Sequence, residues 1–231
     1  MVQYCTACKE EINSSNVFTD AGRKELAISG LCEVCFDNMT FDVSEKLEVL
    51  MEKFSKDLQP VVNIKGCFLA GGALRTTVDP TDEVQDLDLF FETKEALDEA
   101  RAYYDNSGLY KSVFECPKGE LFTYRNLETA VKVQLVAKEF YSPQEAIDSF
   151  DIIAGCAAWD GEDFYKNRKF ISDVLNKRIT INVVTYPKST MRRVAKYVGK
   201  GYRLTREAVD AFVDTVSGME LTEENSEYYI D

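Results

Sequence analysis

The chain has 231 residues, 45% of them apolar, and carries 27 basic against 40 acidic side chains for a formal charge of −13. That length supports one good core plus a small appendage, and the apolar content excludes a disordered chain. There is no histidine, which removes Ser-His and Cys-His nucleophilic schemes and His-containing zinc sites and leaves carboxylates, metals and basic side chains for any chemistry.

No apolar run approaches the ~18–20 residues of a membrane span. The opening MVQYCTACKEE lacks the basic-then-apolar pattern of a signal peptide. A cytoplasmic protein is expected, with its seven cysteines as reduced thiols or metal ligands rather than disulfides.

Residues 1–40 read as a cysteine module. Cys5-Thr-Ala-Cys8 and Cys32-Glu-Val-Cys35 are two C-x-x-C pairs with 23 residues between them. Four thiolates at this spacing fit a closed, tetrahedral, structural Zn²⁺ site better than a redox pair. The segment is too short to bury much core, so metal binding supplies its folding energy. Its role is open between a clip on the N-terminus and a docking surface for RNA or protein.

Asp42-Val-Ser-Glu45 has capping-box spacing. Leu47, Leu50, Met51, Phe54 and Leu58 follow at helical intervals, and Pro60 is expected to end that helix. Gly66 to Ala70 then reads as the first core strand and Leu87 to Glu92 as the second. Between them stand Gly71, Gly72 and Arg75, then a polar loop.

Alternate side chains of a strand share a face, so Asp86 and Asp88 point together. Two carboxylates roughly 6–7 Å apart repel unless a cation lies between them. Hard oxygen ligands suit Mg²⁺, which keeps phosphate oxygens as further ligands, and glycines let a backbone approach a phosphate. Taken singly, a Gly-Gly is a turn and an Asp-x-Asp a solvated strand edge.

Thr93 caps a helix whose buried face uses Leu97, Ala100 and Tyr104. Strands are expected over Tyr110 to Glu115, Glu120 to Tyr124 and Ala130 to Val136, with Pro117-Lys-Gly119 as a turn. Ser142-Pro-Gln-Glu145 is a capping box with Pro at the first helical position. Asn167 to Arg178 reads as a helix with Phe170, Ile171, Val174 and Leu175 inward, and Ile179 to Val184 as a strand.

From Val174 to Arg206 there are nine Lys or Arg and no Asp or Glu. On a chain this acidic, such a run is an electrostatic footprint for triphosphate or RNA backbone. Within it, Met191, Val194, Ala195 and Val198 form the expected buried stripe of a helix, and Arg192, Lys196 and Lys200 a basic one. Thr205 caps a last helix with Ala208, Phe212 and Val213 inward. An acidic, frayed tail is expected from Gly218.

The order strand, Gly-Gly, Arg, loop, Asp-apolar-Asp resembles the head domain of the polymerase-β-like nucleotidyltransferase superfamily. It is most similar to bacterial-type CCA-adding enzymes and poly(A) polymerases, whose signature reads Gly-Gly-x-(Val/Leu)-Arg, a loop, then Asp-x-Asp. Gly71, Gly72, Leu74, Arg75, Asp86 and Asp88 fall on it, and Thr76 stands where the family usually has Asp. Ser149 to Asp160 is similar to a second signature at Asp151, Ala157, Trp159 and Asp160. There Ser149 and Phe150 replace an Arg pair and Gly155 an Asn, residues that touch the incoming nucleotide in the family. Pro187 to Thr205 resembles a third signature, a Pro before an Arg-rich helix. A third carboxylate often stands beside the Asp-x-Asp strand; here that strand offers Gln134 and Lys132, with Glu128 or Glu139 as substitutes.

The resemblance implies an α+β fold: a nucleotidyltransferase-type mixed sheet flanked by helices, a short helical neck and the small N-terminal zinc-binding module. The divisions expected are 1–40, 41–185, 186–217 and an acidic tail over 218–231. A head this compact with a finger added resembles a stand-alone or virus-encoded member, placed in the host cytoplasm if so. The implied chemistry is nucleotidyl transfer from an NTP, ATP included, to an acceptor hydroxyl. Asp86 and Asp88 hold two Mg²⁺ ions about 3.5–4 Å apart. Gly71 and Gly72 grip the triphosphate by backbone contact, and Arg75 with Arg192, Arg193 or Lys196 neutralises it. The acceptor implied is a tRNA-like RNA 3′ end. A protein or small-molecule acceptor, or an inactive nucleotide-binding zinc-finger adaptor, are the alternatives.

Overall fold

The structure is a computed structural model that describes residues 2–219; the expected acidic tail beyond that point lies outside the described residues. The cysteine module comes first, with helices α1 (Asp20–Ser29) and α2 (Glu33–Thr40). Then follow α3 (Ser44–Lys53), α4 (Gln59–Asn63) and strand β1 (Cys67–Ala70). A 3₁₀ turn over Gly72–Thr77 leads through the polar loop to β2 (Asp86–Phe91) and α5 (Lys94–Asn106). Strands β3 (Tyr110–Glu115), β4 (Leu121–Asn126) and β5 (Lys132–Val136) precede α6 (Pro143–Ser149). The chain continues through β6 (Ala157–Trp159), β7 (Phe164–Lys166), α7 (Phe170–Leu175) and β8 (Arg178–Ile179). It finishes with α8 (Pro187–Gly199), β9 (Arg203–Leu204) and α9 (Arg206–Ser217).

Seven strands form one mixed sheet in the order β3-β4-β5-β2-β1-β6-β7. Within it β2 and β5 run parallel and the other neighbours antiparallel. The alternation of β2 decides the architecture. Leu87, Leu89 and Phe91 are buried on one face, against Leu97, Ala100 and Tyr104 of α5 and against Leu50 and Phe54. Asp86, Asp88 and Phe90 are half-buried on the other. One face of the sheet is therefore core, while the other lines a cavity at Asp86 and Asp88 and packs Phe68, Ala70 and Ala158 against Ala146 and Ile147 of α6.

The caps at Thr93, Ser142 and Thr205 form as expected: each hydroxyl accepts from a backbone N–H of the following first turn, and Ser142 and Glu145 complete a reciprocal capping box. Elsewhere local pattern is overridden. Pro60 does not end a long helix. That helix stops at Lys53, and Pro60 sits in the first turn of α4, where its missing N–H costs nothing. Past Ile179 the expected strand dissolves into a single bridge, Ile181 to Ile152. There Asn182 donates its side-chain amide to the carbonyls of Asp148 and Phe150.

Helix α8 turns Val194 and Tyr197 inward and leaves Met191 and Val198 about half exposed. Tyr197 takes a core position that a purely apolar pattern passes over. Leu175 and Val213 are likewise exposed. Among the described residues no helix is long and apolar enough to cross a membrane.

The loop before α4 is tied to the far strands by one buried carboxylate. Asp57 accepts from the Tyr110 hydroxyl at 2.7 Å and the Asn126 amide at 2.9 Å, while its own carbonyl accepts from the Tyr104 hydroxyl at 2.6 Å. Asp57→Ala leaves two buried donors without a partner, and should lower stability by about 2–4 kcal/mol in denaturant titrations. Asp57→Asn keeps an acceptor oxygen and should lose less than half of that.

Candidate active site and metal centre

The register of β1 on β2 sets the site. Ala70 lies opposite Asp88 and Phe68 opposite Phe90, so Gly71 and Gly72, which follow Ala70, run on toward the Asp86 end of the strand. Gly71 has φ 85°, a left-handed conformation that suits glycine. A Cβ there would come within 3.8 Å of an Asp88 carboxylate oxygen, and one on Gly72 within 3.2 Å of the Arg75 guanidinium. The glycines thus hold the backbone close above the carboxylates and beside a cation.

A cavity of about 350 Å³ opens over them. Gly71, Gly72, Arg75, Asp86, Asp88, Arg193 and Lys196 all line it, together with Lys200, Gln134, Glu139 and Asp151. Arg192 lies on the exposed side of α8 and is not among the lining residues. Helix α8 forms the wall facing the carboxylates. Its Arg193 pairs with Asp151 at 2.7 Å, and Lys200 with Asp82 at 2.9 Å.

Arg75 is buried. It donates from Nε to Asp82 at 2.6 Å and from Nη1 to the Tyr197 hydroxyl at 2.8 Å, and it stacks over the Tyr197 ring. Burial opposes its charge, but Tyr197 and Asp82 outweigh that and hold it firmly cationic. It braces the loop to α8 while bringing positive potential to the cavity. Lys177 pairs with Asp79 and adds a second tie between that loop and the C-terminal part.

The position beside Asp88 on β5 is Gln134, a neutral amide where a third carboxylate would stand. Glu128 is remote, paired with Lys56 at 3.2 Å at the far end of the sheet. Glu139 lines the cavity and accepts from the Tyr141 hydroxyl. Gly155 lies where an Asn was expected. A Cβ there would come within 3.1 Å of the same Tyr197 hydroxyl that receives Arg75. Sequence reasoning did not find Tyr197; its one signal was a tyrosine breaking the apolar stripe of α8.

Burial, and then the neighbouring Asp86, push Asp88 up to about 7, against the pull of Lys196, Arg193 and Arg75. Two carboxylates on one strand face, with the neutral Gln134 opposite Asp88 on β5, form a donor set of hard oxygens that a divalent cation would relieve. Asp86 and Asp88 fit Mg²⁺ by that chemistry.

The four cysteines converge independently of this cavity. The Sγ atoms of Cys5, Cys8, Cys32 and Cys35 all lie within 4.8 Å of one another, with Cys8 and Cys32 at 3.8 Å. A tetrahedral site with Zn–S of about 2.3 Å places its sulfurs ~3.8 Å apart, so the cluster fits zinc. Burial pushes the Cys5 thiol up, but N–H groups of Cys32, Cys8 and Ala7 outweigh it and bring it down to about 6. Cys32 caps α2 and Cys35 sits in its first turn.

The module is docked on the head. Arg168 grips Glu10 bidentately at 2.6 and 2.7 Å, Ser172 donates to Asp37 at 2.6 Å, and the Arg178 guanidinium covers the Phe18 ring at 3.6 Å.

Residues 41–177 match the family described as Gad2: Gabija anti-defense 2 family protein. No curated protein matches the chain significantly. Among solved structures it is similar to a CCA-adding enzyme in complex with ATP, at TM-score 0.58 and 12% identity over 77% of this chain and 46% of that one. It is also similar to the Thermotoga maritima CCA-adding enzyme complexed with tRNA, at TM-score 0.57 and 12% identity over 74% and 45%. A tRNA-processing enzyme in its apo form gives 0.54 and 16% identity over 72% and 47%. The chain spans slightly under half the length of each. These likenesses establish the nucleotidyltransferase head fold expected from the motifs.

Two tests follow. Because Asp88 has its pKa raised in the fold, its contribution to stability is full below about pH 4 and is lost as pH rises through 7. Asp88→Asn should therefore melt higher than the parent in metal-free buffer at pH 8, by on the order of 1–2 kcal/mol, with the gap closing toward pH 4. Elemental analysis should give one zinc per chain. Stripping it should expose the α1 and α2 amides to hydrogen exchange while the β1 and β2 amides stay protected, since the module has its own apolar cluster.

Proposed function

The chain belongs to the Gabija anti-defense 2 family, and from its cavity we propose that it is a metal-dependent nucleotidyltransferase, moving a nucleotide from an NTP to an acceptor hydroxyl. The observation that carries this reading is the β1–β2 pair, which sets Gly71-Gly72 over Asp86 and Asp88 beneath the basic wall of α8. On an acidic chain, that concentration of cations around two carboxylates has a phosphate ligand as its natural counterpart.

Asp86 and Asp88 would hold Mg²⁺, which when bound supplies Lewis-acid activation of the attacking hydroxyl and charge relief on the departing pyrophosphate. Gly71 and Gly72 present backbone to the triphosphate. Lys196, Arg193 and Arg75 set positive potential around it before the reaction begins, so little reorganisation is needed as charge develops. Asp82 and Tyr197 hold Arg75 in place, and Asp151 orients Arg193. Gln134 beside Asp88 leaves metal binding to two carboxylates and to substrate oxygens.

The acceptor we favour is an RNA 3′ end. The support is the shared head fold, since solved structures of similar fold are those of CCA-adding and tRNA-processing enzymes. A protein hydroxyl is the second reading, favoured by the family's anti-defense description and by a net charge of −13, which weakens non-specific RNA binding.

Purified protein incubated with Mg²⁺, each labelled NTP, total RNA and a host extract should transfer label to RNA 3′ ends. Asp86→Ala/Asp88→Ala should cut the rate at least 10³-fold. Label on a polypeptide would shift the assignment to the second reading. No label with any NTP or acceptor, while the parent still binds nucleotide, would make the chain a binding module.

A further inference from the structure

The open face of the sheet does not end at the cavity. Beyond β2 the strands run β5, β4 and β3, and the register places one residue of each in line with Asp86. Lys132 lies beside Asp86, Arg125 beside Lys132, and Lys111 beside Arg125. Residues in register share a face. It is the open face, because their neighbours Val133, Tyr124 and Tyr110 belong to the core. All three cations are exposed. At about 4.8 Å between strands the row covers ~14 Å from Asp86 to Lys111, the length of about four stacked nucleotides.

This row costs stability by itself. Like charges directly opposite on neighbouring strands repel, and two such pairs follow one another with no acid interleaved. Glu115 and Glu128, which flank the row in sequence, are drawn away to Arg101 and Lys56. Among the described residues none of the three cations forms an ion pair, Lys132 beside Asp86 included. The cavity reaches onto the same face, with Gln134 and Val136 of β5 and Leu121 of β4 in its lining.

The chemistry gives the row a direction. Gly71 and Gly72 follow β1, so a triphosphate on their backbone lies to the β1 side of the carboxylates. In an in-line displacement the acceptor hydroxyl loses its proton and forms the new O–P bond on the side opposite the breaking bond to pyrophosphate. That side is β5, where Gln134 stands beside Asp88 and Lys132 beside Asp86. An acceptor arriving there comes to lie over β5, β4 and β3.

We infer that Lys132, Arg125 and Lys111 form a track for the phosphates of a single-stranded RNA acceptor, running across the sheet from its edge to Asp86. The inference rests on the nucleotidyltransferase reading and deepens its acceptor. Cations repeated from strand to strand match the repeated charge of a phosphate backbone. Phosphate contacts position a strand without reading its sequence, so the track takes any RNA 3′ strand long enough to cross it.

The test is binding of a fluorescent single-stranded RNA of about 12 nucleotides to the full-length protein, followed by anisotropy over a range of salt. Mg²⁺-dependent binding of ATP is measured beside it. Lys111→Gln/Arg125→Gln/Lys132→Gln removes the row. Lys24→Gln/Lys46→Gln/Lys94→Gln removes the same charge from exposed sites on α1, α3 and α5. Three phosphate contacts add about −2 to the slope of log affinity against log salt. The row variant should flatten the slope by that amount and weaken RNA about tenfold or more at low salt, with ATP within twofold. Each single substitution should take about a third of the slope. The control variant should match the parent in both. The row variant should melt no lower than the parent, since a repulsion is removed.

An unchanged slope in the row variant would overturn the inference and leave the nucleotidyltransferase reading standing. So would an equal loss in the control variant. A parent that binds ATP but no RNA, and labels a host polypeptide more slowly once the row is removed, would overturn it in favour of a protein acceptor. If the parent binds neither ATP nor RNA, it is the underlying reading that fails. Should the triple variant not fold, the single substitutions carry the comparison.

Discussion

Everything at the candidate site depends on the pairing of two short strands. With Ala70 opposite Asp88, the glycines leave the sheet just where the carboxylates open. Side chains alternate with a period of two, so a slip of one residue would bury both acids in the apolar core and turn Leu87 and Leu89 toward the cavity. The buried row Leu87, Leu89 and Phe91 makes that slip prohibitive. The hydrophobic face of β2 is thus what aims its acidic face.

The second requirement is charge. Two acids side by side in a protein of net −13 would scatter a phosphate ligand rather than gather it. The chain answers by gathering nine of its 27 cations, with no acid among them, in the segment that supplies the opposite wall. Asp82, Asp151 and Tyr197 spend part of that charge on position, fixing Arg75, Arg193 and Lys200 at their places. Positions fixed before a ligand arrives are what an electrostatic site requires.

The motifs made much of this legible. Gly-Gly, Arg75 and Asp-apolar-Asp lie within 18 residues of one another, where strand periodicity alone predicts the shared face. The head fold expected from them is the fold found, and so is the four-cysteine cluster. Side-chain partnerships between distant segments were not legible. Tyr197 meeting Arg75 joins residues 122 apart, and nothing local in α8 marks that tyrosine as a hydrogen-bond acceptor. The same contact accounts for Gly155, which reads as a plain departure from a motif until the Tyr197 hydroxyl is seen to fill the space of its missing side chain. Met191, Ala195 and Val198 lie outside the buried face for a related reason: a helix whose inward face carries a tyrosine, a serine and a threonine has its apolar stripe rotated from its buried one.

The docking of the cysteine module has a consequence for how the chain is made. Its partners Arg168, Ser172 and Arg178 stand 135 to 160 residues downstream of Glu10, Asp37 and Phe18, the groups they hold. On a ribosome the module has all four thiols in hand long before those partners emerge. It must then wait as an independent unit through the synthesis of the whole sheet. Its own apolar cluster carries it through that interval, and closure onto α7 waits until the sheet has been made.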